Sequence, residues 1–175
     1  HLLEVLSPFQ GDRAGMVSAI VGKYAKIQAT PSEGQRKARA NNVLIGMSQC
    51  GLLEKNGDDV TPNFTALAKE LLALAGDEQA NVRFARHLLE NCHGLELVDV
   101  VGVIRARGEA VTLQAIRDEL RARGFVVTEI EGNSAKIRQW IESTGAVDKG
   151  WNIKDDALHD LIGAAPSVLA KWNGL

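Results

Sequence analysis

The sequence predicts a mainly α protein with two small β-hairpins, arranged as two similar modules in tandem. Three observations lead there. Hydrophobic residues make up 45% of the 175 residues while aromatics make up 5%, so the core is built of Leu, Val, Ile and Ala and suits packed helices. Apolar residues recur at helical spacing in successive stretches. A pattern of helix, glycine, short β-prone stretch and helix occurs twice, 94 residues apart.

In the first module, Met16, Ile20, Tyr24 and Ile27 predict a helix from Arg13 to Gln28. Thr30-Pro31-Ser32-Glu33-Gly34 interrupts the pattern. A second helix is expected from Gln35 to Cys50, with Val43, Leu44 and Met47 facing inward. Gly51 follows it, where glycine accepts the left-handed conformation that ends a helix. Leu52 to Lys55 then reads as a strand, Asn56-Gly57 as a hairpin turn with both residues at positive φ, and Asp58 to Thr61 as the return strand. Thr61-Pro62 is expected to cap a closing helix striped by Leu67, Leu71 and Leu74.

A connecting helix is expected from Asp77 to Cys92, with Val82, Ala85, Leu88, Leu89 and Cys92 inward and Arg83 and Arg86 outward. In the second module, Leu95 to Arg107 is apolar at 97, 100, 101 and 104. Thr112 caps a helix carrying Leu113, Ile116 and Leu120 that ends at Gly124. Phe125-Val126-Val127 reads as a buried connector. Asn133 or Ser134 caps a helix from Ala135 to Thr144, with Ile137, Trp140 and Ile141 inward. Gly145 ends it, Ala146 to Lys149 and Trp151 to Ile153 pair around Gly150, and Asp155 or Asp156 caps a last helix. The expected divisions are residues 1–76, a connector at 77–93, and 94–175 with a C-terminal helical extension that Trp172 anchors.

The two copies align from Asn42 to Lys55 over Lys136 to Lys149: Val43 with Ile137, Met47 with Ile141, Gly51 with Gly145, Leu53 with Val147, Glu54 with Asp148 and Lys55 with Lys149. Gly51-Leu52-Leu53-Glu54-Lys55 with Thr61-Pro62 and Leu71 to Leu74 resembles the wing and closing helix of bacterial winged helix-turn-helix domains. The resemblance implies two winged-helix domains in tandem, and double-stranded DNA as partner. In that family the helix before the wing lies in the major groove. Carried over, the base-reading candidates are Arg36, Lys37, Arg39, Asn41 and Asn42 in the first module, and Asn133, Ser134, Lys136, Arg138 and Gln139 in the second. Arginine pairs with guanine and asparagine with adenine, each through two hydrogen bonds. The wing cations Lys55, Lys149 and Lys154 are candidates for phosphate.

Charge sets limits on this reading. Formal net charge is −2, which argues against indiscriminate nucleic-acid affinity, and Asp58 and Asp59 in the first wing repel phosphate. The alternative is a winged-helix scaffold that holds a protein partner without touching DNA. Trp140 and Trp151 read as packing residues rather than base-stacking platforms.

No phosphate-binding glycine loop, zinc-protease motif, serine elbow or nuclease-type PD and ExK pair occurs. Neither catalytic residues nor a cofactor are therefore expected in this segment. Cys92-His93 lacks further ligands at metal-binding spacing, and with Cys50 the other cysteine a reduced cytoplasmic setting is expected. No apolar run is long enough to cross a bilayer. His1 in place of Met reads as a tag remnant. The chain is then expected to be a segment of a larger bacterial protein, a restriction or defence protein or a transcription regulator, whose other domains are possible partners.

Overall fold

The computed structural model describes residues 2–24, 32–74, 76–127, 139 and 142–162. It is mainly helical with a small two-stranded antiparallel hairpin. The chain divides into two compact units, His1–Ala80 and Asn81–Leu175.

The first unit begins with α1 (Leu2–Leu6), a 3-10 turn at Ser7–Phe9, and α2 (Arg13–Tyr24). Asp12 caps α2, its carboxylate accepting the Gly15 N–H at 2.9 Å. α3 spans Glu33–Gln49 and opens with a capping box. Ser32 Oγ accepts the Gln35 N–H at 3.3 Å, and Gln35 Oε1 accepts the Ser32 N–H at 3.0 Å. Ala40, Leu44 and Met47 are its inward stripe, and they share the core with Leu6, Met16, Ile20, Leu53 and Phe64. Val43, expected inward, is 36% exposed. The core claims one side of α3, and Val43 stands well round the helix from Leu44.

Gly51 takes φ 73° as expected, and the hairpin of β1 (Leu53–Asn56) and β2 (Asp59–Phe64) follows. Asn56 pairs with Asp59, so the turn residues are Gly57 and Asp58 rather than Asn56 and Gly57. Gly57 alone of these carries positive φ, at 62°, which matches the hairpin turn with glycine first. Thr61 and Pro62 lie within β2, not at a helix start. The strand runs on because Leu53 pairs with Phe64, both buried, across an irregularity that accommodates Pro62. The cap of α4 (Ala66–Ala73) is Thr65, whose Oγ1 accepts the Ala68 N–H at 3.3 Å and donates to Gly51 O at 2.6 Å.

The outer edge of β2 is covered by the segment between α1 and α2. Gly11 N–H donates to Pro62 O at 2.9 Å, Gln10 Oε1 accepts the Phe64 N–H at 3.4 Å, and Arg13 donates to Val60 O at 2.8 Å. A two-stranded ribbon is marginal alone. Here it is flanked by α3 and by residues 10–13.

The second unit takes in most of α5 (Asp77–Asn91), followed by α6 (Gly94–Ala106), α7 (Leu113–Ala122) and α8 (Asp155–Ile162). Ala85 and Leu89 of α5 join Leu97, Val101, Ile104, Ile116, Leu120 and Leu158 in one core. Val82, expected inward, is 44% exposed. Thr112 caps α7 as expected, accepting the Ala115 N–H at 3.1 Å. Val126 is 96% exposed rather than buried. The extended chain after Gly124 alternates sides, with Phe125 and Val127 turned toward the core and Val126 away.

The second hairpin contracts to a single bridge, Val147 with Ile153. Asp148 closes the turn instead, its carboxylate accepting N–H groups of Gly150 at 2.8 Å and Asn152 at 3.0 Å. These bonds hold its pKa below the ordinary carboxylate value, with the Asn152 side-chain bond the largest cause. Trp151 sits at φ 61° and is buried.

Candidate nucleic-acid interface

α3 is the helix that enters the hairpin directly, and it carries the first candidate set. Between Gly34 and Gln49 the sequence has three cations and no acid. Arg36, Lys37, Arg39 and Asn42 are exposed. Lys37 Nζ lies 2.7 Å from Glu33 Oε1 in a surface ion pair, which draws the Glu33 pKa down mainly through that hydrogen bond. Such exposed pairs contribute little to stability.

Asn41 differs from its neighbours. Its Oδ1 accepts from Arg13 Nη2 at 3.1 Å and Nε at 3.4 Å, and its Nδ2 donates to Lys37 O at 3.0 Å. The amide is therefore committed within the protein and does not stand ready for a base. The same guanidinium reaches Val60 O at 2.8 Å, so one side chain ties α2, α3 and β2 together. Neither Arg13 nor this role was selected from the sequence. The signal was a cation at the first position of a helix, where the helix dipole disfavours it.

At about 100° per residue, Gln35, Ala38, Asn42, Ile45 and Gln49 fall on the side of α3 opposite Ala40, Leu44 and Met47. All five are exposed, Ile45 at 40%. Arg36, Arg39 and Val43 lie along one border of this strip. Lys55 is exposed on β1, among the exposed carboxylates of Glu54, Asp58 and Asp59. The hairpin of the first unit therefore carries more negative than positive charge.

In the second unit, Asn133, Ser134, Lys136 and Arg138 lie outside the described residues, as does Trp140. Gln139 is exposed on a helical residue. Lys149 and Lys154 are exposed beside the Asp148 turn. That turn is held from behind by Arg105, which donates to Trp151 O and Gly150 O, both at 2.9 Å. Arg86, expected outward, is exposed and donates to Leu161 O at 2.5 Å. Glu119 accepts from Arg107 at 2.8 Å and from Arg123 at 3.1 Å, and Arg123 also contacts Asp99 at 2.5 Å. These arginines brace α6 and α7. Cys92 is half-buried, and burial pushes its thiol pKa up, away from a reactive thiolate.

Among the described residues, no group of three or more His, Cys, Asp or Glu is placed to hold a metal ion, and no helix is long and apolar enough to cross a membrane. No protein family, curated protein or solved structure matches the chain.

Proposed function

We propose that the chain binds duplex DNA through two winged-helix modules in tandem, with α3 of the first laid in the major groove. The observation that carries this reading is the acid-free outer surface of α3 between Gly34 and Gln49, set directly before a hairpin and displaying Arg36, Lys37, Arg39 and Asn42 to solvent. Cations on that surface neutralise phosphate and release counterions. Arg36 and Arg39 reach guanine edges or the backbone beside them, and Asn42 reaches adenine. Lys55 contacts phosphate alone. The second module contributes through Gln139, Lys149 and Lys154, together with Asn133, Ser134, Lys136 and Arg138.

Fluorescence anisotropy on a diverse duplex library, across a salt series, tests the proposal. Binding is expected to weaken steeply with salt. Arg36→Ala and Arg39→Ala are each expected to cost about 1–3 kcal/mol where they reach bases, and Lys55→Ala to weaken all sequences alike. Absence of binding at low salt would overturn it. One specific observation favours a protein partner as the second reading: the first wing presents Asp58 and Asp59 to solvent, where a DNA-binding wing places cations.

A further inference from the structure

We infer that α3 reads a short A·T-rich segment by an uncharged strip, with Asn42 bonding adenine while Ile45 and Ala38 pack on thymine methyl groups. This rests on the DNA-binding reading above and names the sequence class that its first module recognises. The outward side of α3 is the starting point. Gln35, Ala38, Asn42, Ile45 and Gln49 occupy an arc of about 80° at 100° per residue, and every one of them is exposed.

A solvated helix face carries charged or polar residues; this strip is polar at Gln35, Asn42 and Gln49, apolar at Ala38 and Ile45, and has no charge. The cations Arg36 and Arg39 stand along one border of it, whereas Lys37 lies round toward the core side and pairs with Glu33. A neutral strip with a cationic border on one side suits a major groove, where base edges lie beside a phosphate backbone. The absence of any acid from Gly34 to Gln49 fits that polyanion as occupant rather than a basic protein surface.

Within the strip, chemistry separates the base pairs. Adenine presents N7 and N6–H to an asparagine amide, and thymine presents a methyl group for apolar contact. Asn42 is exposed, whereas Asn41, one residue and about 100° away, is consumed by Arg13. Ile45 is 40% exposed although Ala40, Leu44 and Met47 already fill the core side, so its apolar surface remains for a ligand. From Ala38 to Ile45 the helix rises roughly 10 Å, close to three base-pair steps of about 3.4 Å. One amide with an apolar contact on either side therefore matches a four-pair segment.

The experiment uses the whole chain and a site selected from random duplexes. Selection is expected to enrich adenine and thymine at adjacent positions. Replacing thymine by uracil removes the methyl group and nothing else. Each contacted methyl is expected to be worth roughly fourfold in affinity. Ile45→Ser is expected to erase the difference between thymine and uracil at its position while leaving the salt dependence unchanged. Asn42→Ala is expected to reduce discrimination for adenine by roughly 5- to 150-fold.

Salt-dependent binding with equal affinity for thymine and uracil duplexes at every position would overturn the inference and leave DNA binding intact. Absence of binding by the unsubstituted chain at low salt would overturn both, and would leave Val43 and Ile45 as part of a protein-docking face. Circular dichroism confirms that the variants fold. Should Ile45→Ser unfold, the uracil comparison on the unsubstituted chain decides alone.

Discussion

Arg13→Ala is expected to loosen the hairpin of the first unit even though Arg13 is an exposed residue. Its guanidinium makes three hydrogen bonds: to Val60 O at 2.8 Å, and to Asn41 Oδ1 at 3.1 and 3.4 Å. A protein hydrogen bond nets about 0.5–1.5 kcal/mol, and exposure places these at the lower end. Against them stands the cost of a cation in the first turn of α2, about 0.3–1 kcal/mol. The bonds outweigh the dipole, and the variant is expected to lose about 1 kcal/mol. Asn41→Ala breaks the same contact from the other side, so the two changes are expected to couple by roughly 0.5–1 kcal/mol.

Two units need not unfold together, so amide exchange is the better assay than one melting curve. Amides of β1 and β2 are expected to exchange about fivefold faster for each 1 kcal/mol lost, with α6 and α7 unchanged. Bulk urea unfolding is expected to shift its first midpoint by roughly 0.5 M, taking a slope of about 2 kcal/mol/M. Unchanged exchange in residues 53–64, strict additivity with Asn41→Ala, or a stabilised variant would refute the strut.

Two further predictions concern the separate cores. Phe64 is fully buried, and Phe64→Ala is expected to cost about 3–5 kcal/mol; exchange protection should collapse in α3 and the hairpin and persist in α6. Glu119 has its pKa lowered, chiefly by the Arg107 hydrogen bond and then by Arg123. Its contribution is fully present above the unfolded carboxyl value and is lost as pH falls through the depressed folded value. Glu119→Gln is therefore expected to flatten the stability of the second unit across that acidic window, as urea unfolding at a series of pH values would register.

Local chemistry made much of the fold legible. Apolar spacing located α6 and α7, the Thr112 hydroxyl marked the α7 start, and Gly51 and Gly145 took φ 73° and 74° after their helices. What escaped depended on partners distant in sequence. Thr61-Pro62 carries every local mark of a helix start, yet Leu53 across the hairpin draws Phe64 into the core and keeps the strand going. The second hairpin looked equivalent to the first from its residues. Asp148 accepting N–H groups of Gly150 and Asn152 closes a turn so tight that one bridge forms where a ladder was expected.

The candidate site was legible in its charges and not in its geometry. Choosing Arg36, Lys37, Arg39, Asn41 and Asn42 by residue type treats the start of α3 as one patch, but successive residues on a helix diverge by about 100°. That rotation sends Asn41 toward Arg13 and Asn42 to solvent, so two identical neighbouring side chains have different roles. It also separates Val43 from Leu44, leaving one 36% exposed and the other buried. Neither outcome follows from residue type, since both depend on which side of α3 the core occupies. Once Ala40, Leu44 and Met47 fix that side, Arg36 and Arg39 fall along one border of the outward strip that Gln35, Ala38, Asn42, Ile45 and Gln49 form. On the proposed DNA-binding reading, the charge of Arg36 and Arg39 sets how strongly α3 is drawn to a duplex, and Asn42 with Ile45 sets where on it α3 comes to rest.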